Sequence, residues 1–458
     1  MRALHLALLL ASATIAEASS FSIRDSATGS ALRGRVLKLS SDSAVATAAG
    51  HRSLPLELRD EPNVIVWLDP IAPPAELRPE AVRARLRADA TLLHGHVTDE
   101  ATGAVLAGAT VRVRSAGVET KTVARGYFAL SVPTFPRSSE ELPDADDLSI
   151  EHDGYRQHQI LNTMLHPGAD THFIVQLAPG RGTTMRRDDH KIWLHRDGGE
   201  HPVPEETFFV PRSSSFGADG GAEQTNNEAR ATDNAQGRRR AVGRSARPPA
   251  VTVPQSIRVG FNCPTASGCT TVEVFSMQTY VKRGLNDEWI ASWHSDSLRA
   301  GAVAYRSYGA WYVNHPRTAT YDICSTTSCQ VNDADTSVAA SAAVDATDGV
   351  VLIAPNGEIF RSEYSAENNA WDDPADNRSC SNADRSCGDG FAGSPAANWP
   401  CLPDPVCTGF GCYGHGRGMC QWGSQRWALQ GRDWRWILDH YYNANGTPGG
   451  LRSATVWP

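Results

Sequence analysis

A long segment without large apolar side chains constrains the fold more than any other feature of this sequence. Residues 212–250 read RSSSFGADGGAEQTNNEARATDNAQGRRRAVGRSARPPA and contain almost no such side chains. A segment of this kind buries too little apolar surface to offset the conformational entropy lost on ordering. We therefore predict a flexible linker that divides the 458 residues into parts with separate cores, that is, a multi-domain protein.

Upstream of this linker, a short motif occurs twice. Residues 21–34 (FSIRDSATGSALRG) and residues 95–108 (GHVTDEATGAVLAG) share the pattern D-x-A-T-G-x-x-L-x-G, which begins at Asp25 and at Asp99. In each copy Asp can cap a turn and Gly can adopt a positive φ, so the motif predicts a strand, a tight turn and a second strand. The segments ATVRVRSAG and GYFALSVP then alternate apolar and polar residues, as the strands of a sandwich do.

Residues 90–178 resemble the carboxypeptidase regulatory-like (transthyretin-like) β-sandwich, and residues 20–75 resemble a shorter, degenerate copy of it. The resemblance implies N-terminal all-β sandwich modules that act as spacers or attachment domains. His94, His96 and His158 could form a metal site in this part of the chain, although scattered surface histidines on strands are the commoner arrangement.

The first residues predict export. Residues 1–18 (MRALHLALLLASATIAEA) combine one arginine, an apolar run and a small-x-small ending, which is typical of a signal peptide; a buried N-terminal helix is the alternative. No later segment has the roughly 18 to 20 apolar residues that a transmembrane helix needs. A net charge of −8 argues against a nucleic-acid partner. We therefore expect a protein that is secreted, periplasmic or on the cell surface, without a transmembrane segment.

The cysteines agree with export, because all ten lie in one region and their number is even. They could form up to five disulfides, whose pairing the sequence does not assign. Zinc held by Cys324 and Cys329 with His294, His315 or His415 is the alternative, and Cys420 could instead be a thiol nucleophile near His415. The disulfide candidates are Cys263, Cys269, Cys324, Cys329, Cys380, Cys387, Cys401, Cys407, Cys412 and Cys420.

Residues 251–458 are expected to form a disulfide-rich α+β domain. SIRVGFN and TVEVFSMQTYV are typical of strands, so the second strand is predicted to continue to Val281. An Ala-rich run after Ser295 or Asp296 predicts a helix as far as about Val313, since Ser and Asp are favourable N-cap residues.

One carboxyl in this domain lies among aromatic residues. Glu288 is close in sequence to Trp289 and Trp293. A carboxyl against apolar surface loses hydration of its charged form, so its pKa is expected to rise, and Glu288 could then act as a general acid. An ordinary exposed loop carboxylate is the alternative.

Three stretches of the domain, in order, resemble the signatures of the stage II sporulation protein D / amidase-enhancer LytB family. They are YVKRGLNDEWIASWHSDSLRAGAVAYRSYGAW at residues 280–311, CSTTSCQV at 324–331 and GHGRGMCQWG at 414–423. The resemblance implies an α+β domain of stage II sporulation protein D type, with Glu288 at the position of the family's catalytic glutamate.

Sporulation members of this family are lytic transglycosylases, so the resemblance implies that peptidoglycan glycan strands are the substrate. One carboxyl protonates the glycosidic oxygen and then takes a proton from the sugar's own 6-hydroxyl, so that a 1,6-anhydro product closes without water. Ordinary hydrolysis usually needs two carboxylates instead. Arg306 could orient Glu288 or the substrate, or form a structural ion pair. The expected substrate-binding residues are Trp293, Arg306, Tyr308, His415, Gly416, Arg417, Gln421 and Trp422.

The third signature is expected to form a wall of the substrate groove. Its alternate glycines permit a close approach of the backbone to a ligand. His415, Arg417 and Gln421 offer hydrogen bonds, and Trp422 offers a flat face for a sugar ring. A structural tight turn is the alternative, and the glycine spacing and the lack of a following Lys-Ser/Thr argue against a phosphate loop.

Two departures from the family pattern leave other functions open. The family's proline after the glutamate loop is absent, and residues 366–412 form a cysteine-rich insertion that could reshape or cover the groove. The first alternative is a non-catalytic peptidoglycan binder that enhances a separate cell-wall amidase. The second is a structural surface protein. Apart from the zinc alternative, no cofactor is expected.

Overall fold

The computed structural model describes residues 20–59, 63–134, 144–187, 251–354, 357–366, 406, 418–443 and 455–457. The predicted signal peptide, the predicted linker and almost all of the cysteine-rich insertion lie outside these residues. The chain divides into two compact units. The first comprises Met1–Asp189, Pro254–Ser292 and Tyr312–Ala342, and the second comprises His190–Val253, Trp293–Trp311 and Ala343–Pro458.

The first unit is mainly β. Its strands are β1 (Ser20–Asp25), β2 (Gly34–Lys38), β3 (Ser43–Ala48), β4 (Leu54–Glu57), β5 (Asn63–Leu68), β6 (Ala90–Asp99), β7 (Thr110–Val113), β8 (Val118–Lys121), β9 (Tyr127–Pro133), β10 (Asp144–Glu151), β11 (Gln157–Leu165), β12 (Asp170–Leu177), β13 (Thr183–Arg187), β14 (Ser256–Phe261), β15 (Thr271–Ser276), β16 (Ile323–Cys324) and β17 (Asp335–Thr336). Its helical elements are a 3-10 turn (Ala75–Leu77), α1 (Pro79–Arg83) and α2 (Met277–Glu288).

The second unit is mainly helical in its described residues. Two helices contain residues of both units, α3 (Ser295–Asn314) and α4 (Val338–Ala346). The remaining elements are β18 (Val351–Ile353), β19 (Tyr364–Ser365), β20 (Met419–Cys420), α5 (Gln421–Leu429), α6 (Trp434–Leu438), a π-helical turn (Asp439–Asn443) and β21 (Thr455–Trp457). The strands pair as β18 with β21 and β19 with β20.

A β-sandwich forms the larger part of the first unit. One sheet has the order β13-β11-β10-β7-β8, and the other has the order β17-β12-β6-β9. The inward side chains of both sheets form one apolar core, which includes Leu93, Val111, Phe128, Ile150 and Phe173. Alternation of apolar and polar residues predicted this N-terminal β-sandwich, and the prediction is confirmed.

The repeated motif forms the predicted turn in both copies. A carboxylate oxygen of Asp25 accepts two backbone N–H groups of its own turn, and Asp99 accepts the N–H of Thr102. Gly29 and Gly103 have φ values of 75° and 67°, which other residues rarely adopt. The Asp and Gly of the motif therefore have the roles that the sequence predicted.

The two copies also pack against each other. The N–H of Ala31 donates to the carbonyl of Gly103 at 3.0 Å, and the Arg24 guanidinium donates to the carbonyl of Glu100. In both copies the strand before the turn pairs in parallel with a later strand, β1 with β5 and β6 with β12. The two copies thus share this parallel pairing as well as the turn.

Strands on both sides of the predicted linker share a sheet, whose order is β1-β5-β15-β14-β16. β15 pairs in parallel with β5, so that Val272 lies opposite Val64 and Val274 opposite Val66. A three-stranded sheet of β2, β3 and β4 covers the apolar face, and their shared core includes Val274. The pattern of either strand alone did not predict this pairing.

The segment that leads to Glu288 is helical from Met277, so the predicted strand to Val281 is wrong in its last residues. The side chain of Ser276 accepts the N–H of Thr279 at 3.0 Å and thereby caps α2. This cap ends the strand, although the alternation of apolar residues continues beyond it. The Ala-rich helix is confirmed, since α3 spans Ser295–Asn314.

Three buried histidines lie on the outer face of the second sandwich sheet. His96 Nδ1 and His172 Nε2 are 3.5 Å apart, and His94 Nε2 contacts an Asp170 carboxylate oxygen at 3.1 Å. His158 lies apart from them and contacts Thr184. His94 and His96 are therefore not the scattered surface residues that the sequence predicted.

Because these histidines are buried, we expect the protein to lose stability in acid. Burial lowers the pKa of His96 to about 4 and that of His172 well below its usual value. Between about pH 6.5 and 4 the unfolded chain therefore binds protons that the folded chain does not, so the free energy of unfolding falls as the pH falls. For His96 the total loss is of order 3 kcal/mol. Urea unfolding across this window measures it.

The control for this prediction is the His96→Gln variant. Its free energy of unfolding should fall less steeply with decreasing pH than that of the parent protein, because one depressed histidine is absent. Equal slopes for the two proteins would contradict the assignment.

Candidate active site

Glu288 is the last residue of α2 and is partly exposed. Its Oε1 accepts the backbone N–H of Val331 at 2.9 Å. Trp289 follows as the C-cap residue, donates its N–H to the Leu285 carbonyl and is 1% exposed. The indole therefore fixes the end of the helix in the core, while the neighbouring carboxyl remains accessible.

The segment 330–336 runs beside the end of α2. The Asp333 N–H donates to the Asp287 carboxylate at 2.6 Å, as Val331 does to Glu288. The Tyr280 hydroxyl donates to Gln330 at 2.7 Å. Two consecutive carboxylates of the helix thus each accept a backbone N–H from alternate residues of one extended segment.

The electrostatic surroundings of the Glu288 carboxyl act in opposite directions. The N–H of Val331 favours the ionised carboxylate, since a hydrogen bond to the charged form stabilises it. The C-terminal end of a helix carries partial negative charge and favours the protonated form. Of these two influences, one favours each protonation state of the carboxyl.

A buried arginine lies on the inner side of the same helix. The Arg283 guanidinium lies 4.5 Å from the ring centre of Phe275, and its Nε donates to the carbonyl of Asp333. Burial raises the pKa of the nearby Glu273 carboxyl, and the positive charge of Arg283 opposes that shift. Trp67 donates its indole N–H to Glu273 at 2.6 Å. These contacts hold α2 on the sheet β1-β5-β15-β14-β16.

In the second unit, the predicted sugar-binding tryptophans form a core contact. The rings of Trp293 and Trp422 meet edge to face at 4.9 Å, and Trp422 is 1% exposed. Gln421 is buried as well, and the neighbouring Gln425 accepts the N–H of His294 at 2.8 Å. The face of Trp422 that was predicted to bind a sugar is covered, so this residue stabilises the packing of α5 instead.

Arg306 also has an interior position. It is 1% exposed and donates to the carbonyls of Val350 and Val344 at 3.1 and 3.2 Å. Burial lowers its pKa to about 10, while Asp348 and Asp345 act in the opposite direction. The guanidinium therefore stabilises main-chain carbonyls of the second unit, which corrects the prediction that it touches substrate. Tyr308, on the same helix, is partly exposed.

Gly418, which with Gly423 is one of two glycines of the third signature among the described residues, has a left-handed conformation. Its φ is 74°, and a Cβ atom there would lie 1.7 Å from the carbonyl oxygen of Glu363. The close approach is thus to another part of the main chain. The predicted ligand contacts His415, Gly416 and Arg417 lie outside the described residues.

Two disulfides join cysteines that are close in sequence, Cys263 with Cys269 and Cys324 with Cys329. Cys324 and Cys329, for which the sequence left both a disulfide and a zinc site open, therefore form a disulfide with each other. Cys420 is buried, and its sulfur accepts the N–H of Gly423 at 3.0 Å as the N-cap of α5. Cys380, Cys387, Cys401, Cys407 and Cys412 lie outside the described residues.

The rest of the described chain contains no group of three or more His, Cys, Asp or Glu side chains arranged to hold a metal ion. Across the same residues, no helix combines the length and apolar character needed to cross a membrane.

Sequence reasoning missed the residues that hold the glutamate. Gln330 and Val331 end the second signature, and they contact Tyr280 and Glu288 of the first. The order of the two signatures was visible in the sequence. The contact between them was not, because Val331 donates its main-chain N–H and no side-chain pattern records that hydrogen bond.

Comparison with known proteins gives one family match. The model of the stage II sporulation protein family (SpoIID) matches residues 265–353, which include α2, Glu288 and the segment 330–336. This match supports the similarity of the C-terminal part to that family and points to a function related to the cell wall. No curated protein matches the chain.

Among solved structures, catechol 1,2-dioxygenase from Acinetobacter radioresistens is 15% identical over 21% of this chain and 58% of that chain, with a TM-score of 0.15. The 3-chlorocatechol 1,2-dioxygenase from Rhodococcus opacus 1CP is 13% identical over 22% of this chain and 61% of that chain, with a TM-score of 0.14. The match thus spans less than two thirds of either enzyme, and no conclusion about this protein is drawn from it.

Proposed function

We propose that this chain is an exported lytic transglycosylase that cleaves the glycan strands of peptidoglycan, with Glu288 as the only acid/base. The observation that carries the proposal is the position of Glu288. It lies partly exposed at the end of α2, and its Oε1 accepts the N–H of Val331. The match of residues 265–353 to the stage II sporulation protein family supports the choice of a cell-wall substrate.

In the proposed reaction Glu288 begins protonated and gives its proton to the glycosidic oxygen. The bond between that oxygen and the anomeric carbon breaks, and the leaving sugar departs with a hydroxyl group. The Glu288 carboxylate then takes the proton of the 6-hydroxyl on the remaining sugar, whose oxygen bonds to the anomeric carbon. Atoms balance without water, and Glu288 ends protonated for the next cycle.

This reaction requires both protonation states of one carboxyl. The helix end and the Val331 N–H favour opposite states, as described above. The proposed reaction does not depend on a second carboxylate at a fixed separation, whereas most glycoside hydrolases need one.

The remaining parts of the proposal concern substrate contacts and location. Tyr308, His415, Gly416 and Arg417 stay predicted sugar contacts, while Trp293, Arg306, Gln421 and Trp422 are buried in the second unit. Export rests on the predicted signal peptide and on the two disulfides, which persist in oxidising compartments.

The experiment that tests the proposal is incubation of the full chain with purified peptidoglycan, both intact and stripped of its peptides. We expect soluble glycan fragments with 1,6-anhydro ends from the parent protein. Binding to the wall without any release would overturn the enzymatic proposal and favour the enhancer of a separate amidase. Neither binding nor release would favour a structural surface protein.

A further inference from the structure

The N-terminal β modules contact the start of the helix that ends in Glu288 and the segment 330–336 that runs beside its end. In this segment, β17 extends the sandwich sheet. It pairs antiparallel with β12, and Phe173 lies opposite Asp335. The Ile174 N–H donates to the Ala334 carbonyl at 2.8 Å. The segment that donates to Glu288 is therefore also the edge strand of the sandwich.

A partly buried ion pair strengthens this attachment. Arg186, on β13 of the other sandwich sheet, lies 3.2 Å from Asp335 and 3.8 Å from Asp333, and its guanidinium is 5.8 Å from the ring centre of Phe173. The side chain of Asp335 is 0% exposed. An unpaired carboxylate in that position would be costly, so Arg186 holds both acidic residues of the segment in place.

The shorter module holds the beginning of the helix. Asp69, directly after β5, accepts hydrogen bonds from the hydroxyls of Ser276 and Thr279. Ser276 is the N-cap of α2, and a carboxylate is favourable at the positive end of a helix. Because β5 also pairs with β15, the strand and the helix that lead to Glu288 are both attached to this module.

We infer that the two N-terminal β modules position Glu288, and that Asp69 and Arg186 are the positioning residues. The shorter module fixes the start of α2, and the sandwich fixes the segment whose Val331 N–H holds the carboxyl at its end. This inference rests on the proposed function for its catalytic consequence. It replaces the spacer or attachment role expected from sequence, because a spacer would not share sheets with the segment it carries.

The test compares Arg186→Gln with Arg112→Gln in the full chain. Arg112 also pairs with a carboxylate of the sandwich, Glu119 at 2.9 Å, but both side chains are about half exposed. We expect Arg186→Gln to lower the turnover number about ten- to hundredfold with wall binding unchanged, since a small misplacement of a catalytic group has effects of this size. Arg112→Gln should behave like the parent, and Arg186→Lys should restore part of the turnover.

Hydrogen exchange provides a readout that does not depend on activity. The Val331 and Asp333 amides should exchange faster in Arg186→Gln than in the parent and in Arg112→Gln. Asp69→Asn is the second variant, should Arg186→Gln fail to fold, and Asp89→Asn is its control on an exposed pair with Arg87. In Asp69→Asn the amides at the start of α2 should exchange faster, and turnover should fall.

The outcomes separate this inference from the proposed function. If the parent shows no turnover, the proposed function fails. The exchange rates alone then decide whether the modules hold the start of α2 and the segment 330–336. If the parent is active, unchanged turnover and unchanged exchange at Val331 and Asp333 in Arg186→Gln would overturn the inference.

Discussion

Replacement of Glu288 by Gln is expected to lower the rate of glycan release about a thousandfold. The amide is far too weak an acid to protonate the glycosidic oxygen and far too weak a base to take a proton from the 6-hydroxyl. Its carbonyl oxygen can still accept the N–H of Val331, so the end of α2 should keep its position. The measurement is the initial rate of soluble fragment release from peptidoglycan, with binding to the insoluble wall measured in parallel.

The matched control is Glu119→Gln. Glu119 has a half-exposed side chain on β8 and lies outside the proposed machinery. This variant should release fragments at the parent rate, and both variants should bind the wall as the parent does. A Glu288→Gln protein that retains full activity would show that another group supplies the proton.

The Gly418→Ala variant is expected to destabilise the second unit by about 2 to 5 kcal/mol. The left-handed conformation costs a residue with a Cβ about 1 to 2 kcal/mol, and an overpacked contact adds about 1 to 3 kcal/mol. The overpacking arises because the new methyl would lie 1.7 Å from the Glu363 carbonyl oxygen. That oxygen also accepts the N–H of Met419 and the hydroxyl of Tyr442, so it cannot move cheaply.

Gly431→Ala separates the two contributions to this effect. Gly431 has a φ of 82°, but a Cβ there would have no atom within 4 Å. The stability lost in Gly431→Ala should therefore be limited to the cost of the left-handed conformation. Urea unfolding of both variants gives the comparison. Equal losses would mean that the contact between Gly418 and Glu363 is not tight in solution.

Local patterns predicted the elements whose causes are local. The Asp and Gly of the repeated motif form the same turn in both copies, and α3 forms where the Ala-rich run predicted a helix, with Ser295 as its first residue instead of its cap. The helix α2 was missed because its first residues continue the alternation of β15, and a single serine cap outweighs that pattern. Ser276 with Thr279 is a signal that a search for N-caps could have found.

The support of Glu288 depends on contacts that no local pattern encodes. β5 and β15 come from opposite sides of the predicted linker, and the 330–336 segment pairs with a strand far earlier in the chain. Burial was equally hard to predict. The composition of α5 suggested a binding surface, whereas Gln421 and Trp422 face the interior. Residue type indicates what a side chain can do, and the packing decides which side of the helix faces solvent.

The most direct test of the central claim is whether an oxygen atom from water enters the products during cleavage. Peptidoglycan is digested with the full chain in isotopically labelled water, and the released fragments are weighed by mass spectrometry. If Glu288 acts alone and the 6-hydroxyl closes the ring, the new ends are one water lighter than a hydrolysed sugar and carry no label. Labelled reducing ends would show that water attacks the anomeric carbon and would contradict the lytic mechanism.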